Sequence, residues 1–164
     1  MKKIEEMMRL SISEVFEKMF FVFLEPLDDE CNEYDMEAAI RFEGSINGEV
    51  RVLLSRDIAK TMIQNMLGLK EDEITAQRME DCSKEAVNMI CGNFLGKLDS
   101  TKVFKLSIPT FAGGGFIRPV PLGSMNQTPA SAGMESTGIE PGENACRMDF
   151  DSDGGKVGVI IEID

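Results

Sequence analysis

Apolar residues recur at steps of three and four near the start of the chain, and this spacing predicts an amphipathic helix over residues 3–24. Pro26 follows this segment, and we expect it to end the helix. Phe20, Phe21 and Phe23 form an apolar cluster that is wider than one stripe of a helix. Packing in the core explains this cluster most simply, and a subunit interface is the alternative.

The next two segments are typical of β-strands. Residues 34–44 and 48–55 contain the residue types that strands favour, although their alternation of apolar and polar positions is imperfect. Asn47 and Gly48, between them, form a dipeptide that favours a type I′ turn. We therefore expect an antiparallel hairpin in this part of the chain.

Two further helices are predicted in the middle of the chain. Residues 57–67 form the shorter one, for which Ser55 or Asp57 is suited to cap the start and Gly68 the end. A charged link follows, and residues 75–98 then form a long helix with regular apolar positions.

The last third of the chain contains three segments of different character. Residues 101–111 are strand-like, and Pro109 marks the end or the edge of that strand because it cannot donate a hydrogen bond. Residues 112–144 are rich in Gly, Pro, Ser and Thr and are expected to form a long flexible loop. Residues 145–163 contain two strands around the turn sequence "SDGG" and predict a second hairpin.

These elements follow one another in the order α-β-β-α-α-β-β-β. Hairpins outnumber possible βαβ units, so the prediction is an α+β fold with a mainly antiparallel sheet covered by helices. No linker divides the chain, and residues 1–164 are expected to form a single domain.

The composition restricts the possible functions. The net charge of −12 argues against a nucleic-acid-binding protein, which needs a basic face, and an anionic membrane surface would repel the chain. The chain has no histidine, so Ser-His and Cys-His nucleophile pairs are excluded. The four cysteines include no CxxC pair, and we expect reduced thiols, no metal site and a cytoplasmic location without a signal peptide.

The long helix has two distinct faces on a helical wheel. Asp81, Glu85, Asn88 and Gly92 lie within an arc of about 60° opposite the core face. The core face itself is formed by five apolar residues, Met79, Cys82, Ala86, Met89 and Ile90. Glycine and asparagine are poor helix formers, so their place in this helix needs a reason.

Two explanations of this polar face remain open from the spacing alone. Polar residues opposite a core face are most often only solvated. An amide and a carboxylate one turn apart, such as those of Asn88 and Glu85, can also hold a water molecule and a cation together. Asn93 lies near the core face instead, and we expect its amide to bond neighbouring backbone groups.

The stretch "DCSKEAVNMICGN", followed by "LSIPT", resembles the CheX branch of the CheC/CheX/FliY family of bacterial chemotaxis phosphatases. The family motif has Asp or Ser, three residues, Glu, two residues, Asn, and a proline some twenty-odd positions later. Asp81, Glu85, Asn88 and Pro109 match it. The motif occurs once, which favours CheX over CheC, in which it typically occurs twice.

This resemblance implies a CheC-like fold and a phosphatase acting on the aspartyl phosphate of a CheY-type response regulator. It implies that Glu85 pairs with a lysine of the regulator and that Asn88 orients the attacking water. Asp81 is then a secondary contact or a helix-positioning group, and Gly92 and Pro109 are partner-binding. The regulator supplies the Mg²⁺, so the chain needs no cofactor of its own, and a homodimer is expected.

Two other functions are kept as alternatives. The same helix face could dock a receiver domain or another signalling protein without hydrolysis, which would make the chain a non-catalytic adaptor. A structural role in a flagellar switch is less favoured, because the sequence shows no separate rotor-type domain. The segment 112–144 looks longer than the corresponding loop of a typical CheX.

Overall fold

The computed structural model describes residues 2–31, 33–117 and 144–164. These residues form three α-helices, one short 3-10 helix and seven β-strands. In chain order the elements are α1 (Lys2–Met19), β1 (Glu25–Leu27), β2 (Tyr34–Glu43), β3 (Gly48–Leu54), α2 (Arg56–Leu67), the 3-10 helix (Glu71–Glu73), α3 (Ala76–Leu98), β4 (Lys105–Leu106), β5 (Thr110–Ile117), β6 (Ala145–Ser152) and β7 (Gly155–Ile163).

All strand pairs of the sheet are antiparallel, which confirms the predicted α+β class. The strand order is β1-β6-β7-β3-β2-β4, and β5 also pairs with β2. The short strand β1 was not expected from the sequence, because it is too short to show a period of two.

The three helices pack with the sheet around one large apolar core, and a small second cluster is formed by Tyr34, Leu53 and Ile160. Strand β2 shows this packing clearly, because its side chains alternate between buried and half-buried positions from Tyr34 to Phe42. α3 contacts α1, α2 and strands β2, β3 and β5. It is therefore the helix with the most neighbours, and its orientation is determined by the core.

Both predicted helices of the middle segment are confirmed, and their caps are specific. The Ser55 hydroxyl accepts a hydrogen bond from the backbone N–H of Ile58 at 3.3 Å, so Ser55 and not Asp57 caps α2. Gly68 has a left-handed φ of 66° and ends the helix as expected. Thr75 caps α3 in the same manner, through the N–H of Arg78 at 3.2 Å.

The predicted end of the first helix is wrong, because α1 stops at Met19. Phe21 has a φ of 54°, which takes the chain out of the helix. The side-chain amide of Asn65, on α2, donates to the carbonyl oxygen of Phe20 at 3.0 Å and caps this end from outside. Phe20 is buried in the core, whereas Phe21 and Phe23 are exposed.

The first hairpin forms, but its predicted turn type is wrong. Residues 44–47 connect the strands, and neither Asn47 nor Gly48 has the positive φ that a type I′ turn requires. Gly48 instead begins β3, where a Cβ atom would collide with the Glu162 carbonyl oxygen and the Phe42 ring. The glycine is therefore needed for close packing and not for the turn.

The predicted strand over residues 101–111 is only partly confirmed. Only β4 and the start of β5 lie there, and Val103 and Ile108 are 92% and 88% exposed. β5 continues to Ile117, so the first part of the predicted loop over residues 112–144 is a strand. Most of that loop lies outside the described residues. The second hairpin is confirmed.

Candidate functional site

The core face of α3 includes the residues that the helical wheel predicts, but it is wider. Five more residues are buried on it, namely Ser83, Val87, Cys91, Phe94 and Leu95. Cys82, Ala86 and Ile90 are buried, and Met79 and Met89 are half-buried against the same core. Together the buried residues of α3 cover about 220° of the helix, so the side opposite the middle of this arc faces away from the sheet.

Asp81, Glu85, Asn88 and Gly92 lie on that opposite side, and we call them the α3 stripe. All four are exposed, as predicted. The stripe extends from Asp81 to Gly92, eleven rises of 1.5 Å, or about 16 Å of helix. The helix therefore brings these four motif positions together on one accessible surface.

The polar side chains of the stripe differ in their internal contacts. Asp81 accepts a hydrogen bond from the Gln77 side-chain amide at 2.9 Å, which fixes it on the helix. Glu85 and Asn88 make no side-chain hydrogen bond or salt bridge with any residue that the structure describes. Side chains on a helix tilt toward its N-terminus, so the Asn88 amide lies over the turn that carries Glu85. An amide and a carboxylate are thus neighbours on this surface, available to a partner.

Gly92 has no structural requirement for glycine. A Cβ atom at this position would meet nothing within 4 Å, and the φ is not positive. The same is true of Gly96, four residues further along the same side, which is not one of the predicted site residues. Each glycine costs the helix about 1 kcal/mol relative to alanine. The two glycines therefore leave bare, accessible backbone beside Asn88 at some cost in stability.

Asn93 is structural, but its predicted partner is wrong. Its amide donates to the Glu14 carboxylate of α1 at 3.3 Å, and not to neighbouring backbone. Lys97 donates to the same carboxylate at 3.0 Å. This bond from Lys97 is the main reason why the pKa of Glu14 is below its usual value. These contacts join α3 to α1 on the side of the helix away from the stripe.

Pro109 lies apart from the stripe along the chain, in the connection between β4 and β5. It is half-buried and directly precedes β5, the strand that packs against α3. The described hydrogen bonds do not join this connection to Glu85 or Asn88. Its assignment as a partner-binding residue stays a prediction.

The cysteines of α3 do not offer a nucleophile. Burial raises the pKa of Cys82 and of Cys91 to about 12, so both thiols stay protonated near neutral pH. Within residues 2–31, 33–117 and 144–164, no three acidic or cysteine side chains are grouped so that they could hold a metal ion. No helix in the described part of the chain is long and apolar enough to cross a membrane.

The antiparallel sheet and its covering helices place the chain in the class of CheC-like folds. The model of the family described as "Chemotaxis phosphatase CheX" matches residues 36–119, just over half of the chain. The chain therefore belongs to the CheX family. None of the curated proteins compared with the chain matches it by sequence.

Solved structures with the same fold confirm the predicted CheC-like architecture. The chemotaxis protein CheX from Vibrio vulnificus has a TM-score of 0.75 at 19% identity, covering 99% of this chain and 97% of that chain. A CheC-like superfamily protein from Shewanella sp. PV-4 has a TM-score of 0.74 at 18% identity, covering 98% and 97%. The CheX-CheY-BeF3-Mg²⁺ complex from Borrelia burgdorferi has a TM-score of 0.65 at 18% identity, covering 97% and 96%.

The two asparagines of α3 make opposite predictions for stability. Asn88→Ala should raise the free energy of unfolding by roughly 0.5 kcal/mol, because alanine is the better helix former and no described contact is lost. Asn93→Ala has the same gain in propensity but loses a bond to Glu14 worth about 1 kcal/mol, so it should be the less stable variant by that amount. Urea denaturation of both variants measures the difference, and equal stabilities would contradict the assignment of Asn88 to a non-structural role.

Proposed function

We propose that this chain is a phosphatase that hydrolyses the aspartyl phosphate of a CheY-type response regulator. The observation that carries the proposal is the arrangement of Glu85 and Asn88, exposed and one turn apart, with no described contact to the rest of the fold. Their place in a chain of the CheX family supports the same reading. The Borrelia CheX in complex with CheY, BeF3 and Mg²⁺ supports a CheY-type partner that holds Mg²⁺ in its own site.

Asn88 is the residue that would orient the attacking water. Its carbonyl oxygen accepts a hydrogen bond from the water, while its amide N–H groups donate to acceptors nearby. The water oxygen attacks phosphorus in line with the bond to the regulator's aspartate. The bond from phosphorus to the aspartate oxygen breaks, inorganic phosphate leaves with the protons of the water, and the aspartate carboxylate is restored. Phosphoryl transfer depends mostly on positioning and charge stabilisation, so an amide in the right place is sufficient and no histidine base is needed.

Glu85 is proposed to pair with a lysine of the regulator and so to align the two proteins. Its carboxylate is exposed and has no described internal partner, so it loses no bond of the free protein when it binds. The overall charge of −12 adds long-range attraction for a basic group of the partner. Asp81 is a secondary contact in this scheme, since Gln77 already binds it.

The cytoplasm is the proposed location, because the proposed substrate is a signalling receiver of the two-component type. We also propose a homodimer. Both edges of the described sheet carry exposed apolar side chains: Phe21 and Phe23 precede β1, and Val103 and Ile108 flank β4. Exposed edges of this kind favour association between chains.

A non-catalytic adaptor is the second candidate function, since the same surface could bind a receiver domain without hydrolysis. The Asn88 amide makes no described hydrogen bond within the chain, and this favours catalysis. A surface that only docks a partner does not need such an asparagine one turn from a carboxylate. A receiver that binds with an unchanged phosphoryl half-life would select the adaptor.

Asn88→Ala should abolish the accelerated loss of phosphate from a phosphorylated receiver. Removing one well-placed hydrogen-bonding group from a reaction site lowers rates by roughly a hundredfold or more. The measurement is the decay of the phosphoryl group on the receiver with and without the variant.

Asn93→Ala is the matched control for this experiment. It makes the same chemical change on another side of the same helix, so it should keep its activity even though it is the less stable variant. A fully active Asn88→Ala would show that Asn88 does not act in hydrolysis.

Substitutions at the two exposed glycines distinguish an effect on docking of the receiver from an effect on the stability of the fold. Gly92→Ala and Gly96→Ala should each raise the free energy of unfolding by about 1 kcal/mol, because neither added methyl group meets any other atom. Gly92 is one turn from Asn88, so its methyl group should also hold the receiver away and weaken the stimulated dephosphorylation. Gly96, two turns away, should affect activity less. If Gly92→Ala is as active as Gly96→Ala, Gly92 is not a contact of the partner.

Sedimentation tests the proposed dimer. One chain has a mass of 18.2 kDa, and we expect a species of about twice that mass at micromolar concentration. A single species of monomer mass over the same concentrations would exclude the dimer.

A further inference from the structure

A lysine adjoins the site on the side opposite Glu85. Lys84 precedes Asn88 by four residues, about 40° to one side of it on the helix, whereas Glu85 precedes it by three residues, about 60° to the other side. The Asn88 amide is thus flanked by an ammonium group and a carboxylate. On α3, Lys84 is the cation nearest to Asn88, since Arg78 and Lys97 lie more than two turns away.

The present contact of Lys84 is weak. Its ammonium nitrogen lies 3.9 Å from the Glu80 carboxylate, and the two side chains are 37% and 31% exposed. Exposed ion pairs at this spacing on a helix contribute only about 0.3–0.5 kcal/mol. The ammonium can therefore leave Glu80 at little cost when a stronger anion arrives.

Such an anion would arrive with the proposed substrate. The phosphoryl group that Asn88 faces bears its negative charge on three equatorial oxygens, and that charge must be stabilised during transfer. Side chains four residues apart on a helix have Cβ atoms about 5–6 Å from one another, a separation that the flexible stem of lysine can span. The ammonium of Lys84 can therefore reach a phosphoryl oxygen beside the Asn88 amide.

Glu85 and Lys84, which flank Asn88 on the helix surface, also differ in what they can bind. Glu85 is suited to the regulator's lysine, because a carboxylate has only acceptors. It would repel the phosphoryl group, and so would most of this acidic chain. A cation placed on the other side of Asn88 offsets that repulsion where the phosphoryl group lies.

We propose that Lys84 is a further residue of the site, which leaves Glu80 and binds an oxygen of the phosphoryl group in the complex with the receiver. This inference rests on the proposed phosphatase function and adds a cationic contact to it. The competing explanation is a helix-stabilising pair, since glutamate four residues before lysine is the favourable order.

The test compares four variants on one phosphorylated receiver: Lys84→Gln, Lys84→Arg, Glu80→Gln and Lys102→Gln. Lys84→Gln should lower the dephosphorylation rate at saturating protein by roughly tenfold or more, the effect of losing one charge-assisted hydrogen bond. Lys84→Arg keeps the charge and should restore most of the rate. Glu80→Gln frees Lys84 and should keep the full rate.

Lys102→Gln is the matched control, because it removes the same charge from an exposed lysine in the connection after α3. It should leave the saturated rate unchanged. A merely structural Lys84 would instead make Lys84→Gln and Glu80→Gln equally less stable and equally active, and that result would overturn the inference.

The failure of this inference is distinguishable from the failure of the proposed function. In one case, the unchanged chain accelerates phosphate loss and Asn88→Ala does not. If Lys84→Gln is then as fast as Lys102→Gln, only the role of Lys84 is wrong. If the unchanged chain does not accelerate phosphate loss from any receiver, the proposed function fails and the role of Lys84 fails with it.

Discussion

The packing of α3 against the sheet is the interaction on which the site depends. Cys82, Ala86 and Ile90 are buried in the core, and they determine how the helix is rotated about its axis. Each residue turns the helix by about 100°, so a shift of one residue would carry the stripe away from its outward position. Glu85 and Asn88 are exposed because the buried residues of α3 lie on the other sides of the helix, where they pack into the core. The site therefore needs no pocket and lies on a rigid element.

The same helix contains residues that weaken it. Asn88, Gly92 and Gly96 are all less favourable than alanine, and together they cost roughly 2–3 kcal/mol of helix stability. A single domain has a net stability of only about 5–15 kcal/mol, so this is a considerable fraction. None of the three positions is explained by a described contact or a positive φ. Their combined cost is understandable if this surface serves a partner and not the fold.

The stripe could be predicted from the sequence because it depends only on local periodicity. A helix of 23 residues repeats its apolar positions often enough to identify both faces. The end of α1 could not be predicted, because Asn65 of another helix caps it. The role of Gly48 depends on the approach of Glu162, more than a hundred residues away. The partner of Asn93 was missed for the same reason, since Glu14 belongs to another helix.

NMR mapping of the chain with a phosphorylated receiver domain would show most directly whether the outward face of α3 is the functional surface. We expect the largest changes of amide chemical shift to lie on α3 between Asp81 and Gly96, and to shrink when the receiver loses its phosphate. Changes confined to the sheet edges at β1 or β4, with α3 unaffected, would contradict this expectation.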